Sequence, residues 1–328
     1  MPAMISVLLD YSLPVVALEL CLVFLITRLF LEPYFMPRVF GKTYLDMDVG
    51  ARRSLTNHAV SFGLKVTCCV GAYSILETFF IQTPLDDPIR SKHASHEVTN
   101  GDILAYCYLT VPTIYLFEII YRTNISIVSA VHHMAAIIIN ILGIVIIVGH
   151  TDQDGYLPLI EFKLILIYGT FEMMFEMFPH LAVMLYRIYR HRTRFLCRLF
   201  LIVGLGIFTG TISEQVAIIY FYHRIWKHLP ILYKALGPIL HVCFLAAQVH
   251  GGRICIQISM KLRKEMQEAA RKGVVQPDGP PLAPIADADL EAGCSEAEPV
   301  AGQKHLRTST EASELEDVPE QSYVAKAQ

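Results

Sequence analysis

Charge is scarce in this chain. Asp, Glu, Lys and Arg make up 17% of its 328 residues, against about 25% in a typical soluble domain. No disulfide framework is present: the eight cysteines contain no Cys-x-x-Cys. Cys21, Cys68, Cys69, Cys107, Cys243 and Cys255 fall inside apolar segments, where a thiol behaves as a small hydrophobe. No basic face for nucleic acid exists either, because the Lys and Arg residues cluster in short loops between apolar runs. Asp10, with no Lys or Arg, precedes the first apolar run, and no small-residue cleavage site follows it. A retained first span is therefore expected in place of a cleaved signal peptide.

Apolar sequence is abundant. Hydrophobic residues reach 54% and the mean hydropathy is +0.45. The net charge of −3 averages two unlike regions: residues 276–328 hold eleven acidic and three basic residues, so the remainder is net positive. That acidic stretch, preceded and interrupted by Pro277, Pro280, Pro281 and Pro284, has the composition of a disordered tail. Ser309, Thr310 and Ser313 lie in it near acidic residues, a common context for phosphorylation.

Runs of about 20 apolar residues cross a bilayer as helices. Seven such segments read as Leu13–Leu31, Leu55–Ile81, Ile103–Tyr121, Ile125–Val148, Ile160–Tyr186, Leu199–Tyr222 and Leu236–Ile258. The fold class is thus all-α, a polytopic membrane helical bundle of about seven transmembrane helices. The flanking loops carry 15 Lys and Arg on one side and 6 on the other. The positive-inside tendency then puts the N-terminus in the lumen and the C-terminus in the cytosol. Lys261–Lys272 is charged and helix-prone and is expected to lie along the cytosolic membrane face. Pro179 is expected to kink the fifth span.

Ionisable groups at membrane depth are costly and tend to serve function. His132 and His133 are adjacent in the fourth span. Glu172, Glu176 and His180 recur every four residues on the fifth, a polar stripe that must face inward. Converted at about 1.5 Å per residue, these groups fall in the cytosolic half. His133 shares a helix face with Asn140 and reads as the interior member of the pair, and Lys65 is expected to snorkel. His241 and Gln248 share a face of the seventh span, with His250 nearly opposite, so one pocket is not expected to hold all three. Glu19 reads as structural. Glu214 with Thr209, Thr211 and Ser213 either lines a cavity or is satisfied locally. A neutral imidazole suits general-base work on an amine or hydroxyl attacking an acyl group. The candidate catalytic residues are His132, His133, Glu176 and His180.

The stretch Leu116-Phe-Glu-Ile-Ile-Tyr-Arg122, a short connector, and Val128-Ser-Ala-Val-His-His-Met-Ala-Ala-Ile resemble the TLC-domain family, which includes the ceramide synthases. Arg52-Arg-Ser-Leu-Thr-Asn-His58 is similar to the basic entry of that family's first core helix. The resemblance implies a first helix over residues 1–48, a six-helix TLC-like core over 49–260, and a cytosolic segment and tail over 261–328. It implies an endoplasmic-reticulum membrane and sphingolipid metabolism. The activity implied is acyl transfer from acyl-CoA, a co-substrate, to a sphingoid-type amine, with His133 as base and His132 orienting it. The family's aspartates on the following helix are replaced by Glu172 and Glu176, as in a divergent branch. The alternative is a non-catalytic lipid-binding or membrane-composition regulator of the same fold. A third reading is a zinc hydrolase with His132, His133, His180 and a carboxylate as ligands. It lacks any His-x-x-His or His-x-x-x-His spacing within a span, so no metal and no resident cofactor are assigned. Membrane lipids are the implied partners, nucleic acid is not, and homo- or hetero-oligomerisation stays open.

Overall fold

Backbone in hydrocarbon has no water to bond, so each long apolar run must satisfy its own amides as a helix. The computed structural model describes residues 6–76, 98–123, 125–149, 157–227, 229 and 231–271, and these are all-helical. The acidic tail with Ser309, Thr310 and Ser313, and loop residues Arg90 and Lys92, lie outside the described residues.

Helix α1 (Ser12–Ile26) runs into a π-helical segment, Thr27–Phe35, and then α2 (Met36–Phe40). Pro33 explains the widened turn: it offers no N–H, and its ring collides with the carbonyl four residues back. Gly41 ends the run at φ 57°, a conformation that glycine adopts without steric cost. After the short α3 (Lys42–Leu45) come α4 (Val49–Leu76), α5 (Asn100–Tyr121) and α6 (Ile127–Gly149). They are followed by α7 (Leu157–Ile188), α8 (Thr193–Ile225) and α9 (Ile231–Arg271).

Five of these stretches are long and apolar enough to cross a membrane: Ser12–Phe40, Asn100–Tyr121, Ile127–Val145, Thr193–Arg224 and Lys234–Arg271. Helices α4 and α7, at 28 and 32 residues, match them in length, but α4 carries Arg52, Arg53 and Lys65 and α7 carries Glu172 and Glu176. The outward surface is apolar, with Leu13 79% and Ile127 81% exposed and Ile202, Ile212, Val216 and Ile219 open on α8. Such a face belongs in lipid.

One expectation changes. The segment from Lys261 is continuous with the seventh span within one 41-residue helix, α9, and is no separate surface helix. Nothing between Ile258 and Arg271 breaks a helix: the stretch contains no Gly or Pro. It also crosses the boundary set at residues 260 and 261. Pro179 does not interrupt α7, which is helical through Ile188.

The bundle holds together through local polar ties and close packing. Thr99 and Asp102 form a reciprocal capping box at the start of α5. Glu19 receives hydrogen bonds from Thr110 Oγ1 at 2.7 Å and Thr113 Oγ1 at 2.8 Å, fastening α1 to α5. One apolar cluster joins Ile114 and Tyr115 of α5, Ala135 and Ala136 of α6, Met173 of α7 and Phe244 of α9. A second joins Ala182 and Tyr186 of α7, Phe200, Val203 and Ile207 of α8, and Ile258 of α9.

Candidate functional site

The Ser126 hydroxyl accepts the Ser129 amide at 3.0 Å and caps the first turn of α6. Six residues into that helix, both imidazoles of the pair turn inward; His132 and His133 are buried. The expectation that His133 alone faces the interior is therefore too narrow. Consecutive residues on a helix diverge by about 100°, the angle that follows from 3.6 residues per turn, and here each meets a different neighbour.

His133 Nε2 is 2.9 Å from Glu118 Oε2 of α5 and 3.0 Å from Ser129 Oγ. Ser61 Oγ donates to the other Glu118 oxygen at 2.5 Å. His132 Nε2 is 2.7 Å from Glu172 Oε1 and 2.7 Å from Glu176 Oε1, both on α7. Tyr115 organises the centre. Its ring stacks on His133 with centroids 4.7 Å apart, and its hydroxyl donates to Glu172 Oε1 at 3.0 Å and Glu176 Oε2 at 3.2 Å. The Phe244 ring meets His132 edge-on at 5.1 Å.

Lys65 does not snorkel. It is 1% exposed, and its Nζ donates to Glu176 Oε2 at 2.5 Å. An ammonium reaching a buried carboxylate lowers its cost more than stretching towards distant water would. His180 completes this side: its Nε2 is 3.4 Å from Lys65 Nζ and 3.9 Å from Glu118 Oε1, and its Nδ1 is 2.8 Å from His58 Nδ1. Glu176 therefore serves His132, while the carboxylate beside His133 is Glu118. Gln248 of α9 donates through Nε2 to Glu172 Oε2 at 3.1 Å and to Glu214 Oε2 at 2.8 Å.

The stripe Glu172, Glu176 and His180 faces the bundle interior as its spacing required. The zinc ligand set of His132, His133 and His180 with one carboxylate is not assembled, because the three imidazoles bind different groups. The hydroxyls of Thr209, Thr211 and Ser213 each donate to the carbonyl four residues earlier on α8. Glu214 instead lines the cavity. His241 pairs with Gln215 Oε1 at 2.6 Å, away from the cavity, whereas Gln248 and His250 both line it.

That cavity has a volume of about 180 Å³. Its lining combines Glu118, His132, His133, Glu172, Glu176 and His180 with apolar side chains such as Phe200, Ile207, Ile254 and Ile258. Gly210 lies in the lining, and a Cβ there would be 2.4 Å from the Phe175 ring. His132 Nδ1 and His133 Nδ1 are buried with no hydrogen-bond partner among the described residues. With Nε2 held by a carboxylate as donor, Nδ1 is the bare acceptor nitrogen. Each imidazole is thus oriented by an acid on one nitrogen and free to take a proton on the other, the logic of an acid–histidine pair.

Sequence reasoning did not place Lys65, Glu118, His58, Ser61 or Tyr115 in the candidate site. A signal existed for three of them: His58, Ser61 and Lys65 sit at i, i+3 and i+7 on α4, one polar face by the same rule that exposed the α7 stripe. Comparison with known proteins returns no matching family model, no matching curated protein and no matching solved structure.

Proposed function

We propose that this protein is a membrane-embedded lipid acyltransferase in which His133, oriented by Glu118, is the general base. One observation carries the reading: a buried imidazole has its Nε2 bound to a carboxylate 2.9 Å away and its Nδ1 unpartnered among the described residues, in the lining of a cavity that combines ionisable and apolar side chains. That mixed lining suits an amphipathic lipid, with the reacting head at the histidines and the chain against the apolar side chains. His133 Nδ1 takes the proton from an attacking amine, the amine nitrogen bonds to the thioester carbonyl carbon, and the carbon–sulfur bond breaks. The departing thiolate of CoA then receives that proton. His132, held by two carboxylates, positions the thioester. His180 and Glu176 hold Lys65 beside them as secondary partners.

The same reading takes α1, α4 and α7 as spans alongside the other four long helices. There are then seven crossings, six of them forming a TLC-like core, with the N-terminus lumenal in the endoplasmic reticulum. The resemblance in the Glu118 and His-His segments supports it. Membranes or purified protein supplied with labelled acyl-CoA and a long-chain amine test the reaction. Turnover lost in His133→Ala is the expected result, and undiminished turnover in that variant eliminates the mechanism. No turnover by the wild type, together with a lipidomic change on deletion that a His132/His133 double variant reverses, favours the non-catalytic lipid-handling alternative.

A further inference from the structure

The cluster around the two histidines carries more negative charge than its cations balance. Glu118, Glu172, Glu176 and Glu214 converge with Lys65 as their one hydrogen-bonded ammonium among the described residues. With neutral imidazoles, four carboxylates against the Lys65 ammonium and the Arg122 guanidinium of the same lining leave two uncompensated charges at membrane depth, where each is expensive.

Three ligating side chains meet inside this imbalance. His132 of α6 and Glu172 and Glu176 of α7 present ligand atoms all within 4.8 Å of one another. Glu214, 2% exposed, lines the same cavity, and Gln248 Nε2 bridges it to Glu172. Its Oε1 is buried and has no hydrogen-bond partner among the described residues. A buried carboxylate oxygen left bare beside three ligands is placed to join them on a cation.

We propose that His132, Glu172 and Glu176 bind a divalent transition-metal ion, with Glu214 as the nearest further ligand. One imidazole nitrogen and two carboxylates suit Zn²⁺, Fe²⁺ or Mn²⁺ and leave coordination positions open, as three-ligand sites for reactive metals do. A divalent ion offsets both excess charges. Ligand atoms about 2.0–2.2 Å from such an ion sit roughly 3 Å or more apart, so the pairs now at 2.7 Å need only part slightly, the ion taking the place of the His132 Nε2 proton, which moves to the bare Nδ1. Tyr115 and Lys65 already hold Glu176 Oε2, which leaves Oε1 to the metal and fixes its orientation, the usual task of outer-shell partners. This site goes beyond the acyl-transfer reading: it shares His132 and Glu176 with that reading but not its base pair, His133 and Glu118.

The full chain purified in detergent and incubated with equimolar Zn²⁺, Mn²⁺ or Co²⁺, then desalted, tests it by elemental analysis. About one ion per chain is expected, as a single three-ligand site requires. Glu172→Gln and His132→Ala should lower retained metal on the order of 10-fold or more, while Glu19→Gln, at the α1–α5 tie, should leave it unchanged. Because a site variant may unfold, the wild type carries its own readouts. Co²⁺ should produce a visible ligand-field band, and chelation should lower the thermal midpoint, with recovery on adding metal back. Wild-type protein that retains no ion and shows neither band nor shift overturns the proposal, as does equal metal retention in a folded His132→Ala variant. Acyl transfer is a separate measurement, so either proposal can fail while the other stands.

Discussion

His133 illustrates how one side chain depends on its neighbours. In the proposed reaction the imidazole acts as base while Glu118 and the stacked Tyr115 ring hold it. Glu118→Gln keeps the shape and removes the charge, so acyl transfer should fall about 10²–10⁴-fold, the usual range for a general-base contribution, with the protein still folded. Near-normal rates in a labelled acyl-CoA assay would break the pairing of these two groups. Lys65 gives a stability test. Deleting one partner of a buried ion pair costs about 3–5 kcal/mol, so Lys65→Met should lower the thermal midpoint in detergent sharply. Adding Glu176→Gln should recover part of that loss, because it removes the charge left unpaired. Purely additive losses would mean that the two groups do not couple.

At the scale of elements, α8 and α9 show how close approach depends on small residues. A Cβ on Gly204 would lie 3.1 Å from the Gly252 carbonyl oxygen and 2.8 Å from Ile256, so the two backbones meet where no larger side chain fits, as in small-residue membrane contacts. Gly204→Val should cost about 1–3 kcal/mol through overpacking, read as a lower thermal midpoint and an earlier loss of monodispersity on heating. An unchanged midpoint would show that the helices can separate at no cost. The apolar lengths of α5, α6 and α8 are legible as helices from periodicity and hydropathy. The fusion of Lys261–Arg271 into α9 is not, because charge content says nothing about whether a helix bends at the membrane surface. The π-helical turn around Pro33 is likewise a local geometry that a proline announces only as a break.

For the whole molecule, orientation is the open quantity that a measurement can settle. With the N-terminus lumenal, a cysteine introduced at Gln328 should react with an impermeant thiol reagent only from the cytosolic side, in a background lacking other reactive thiols. Lumenal labelling, or a glycan at Asn124 (a position outside the described residues), would invert the topology. The sequence by itself determined that this chain is a helical membrane protein, because hydrocarbon tolerates few charges and forces each backbone segment to bond within itself. It also determined that His133 and the α7 stripe face inward, since an ionisable side chain cannot be left in lipid; that His132 does so as well came from the structure. Only the tertiary structure decided which acid serves which histidine, that Lys65 is buried, and that Glu214 joins the same cavity. Those pairings run between helices distant in sequence, and helix rotation and packing set them through contacts that no spacing along one helix contains.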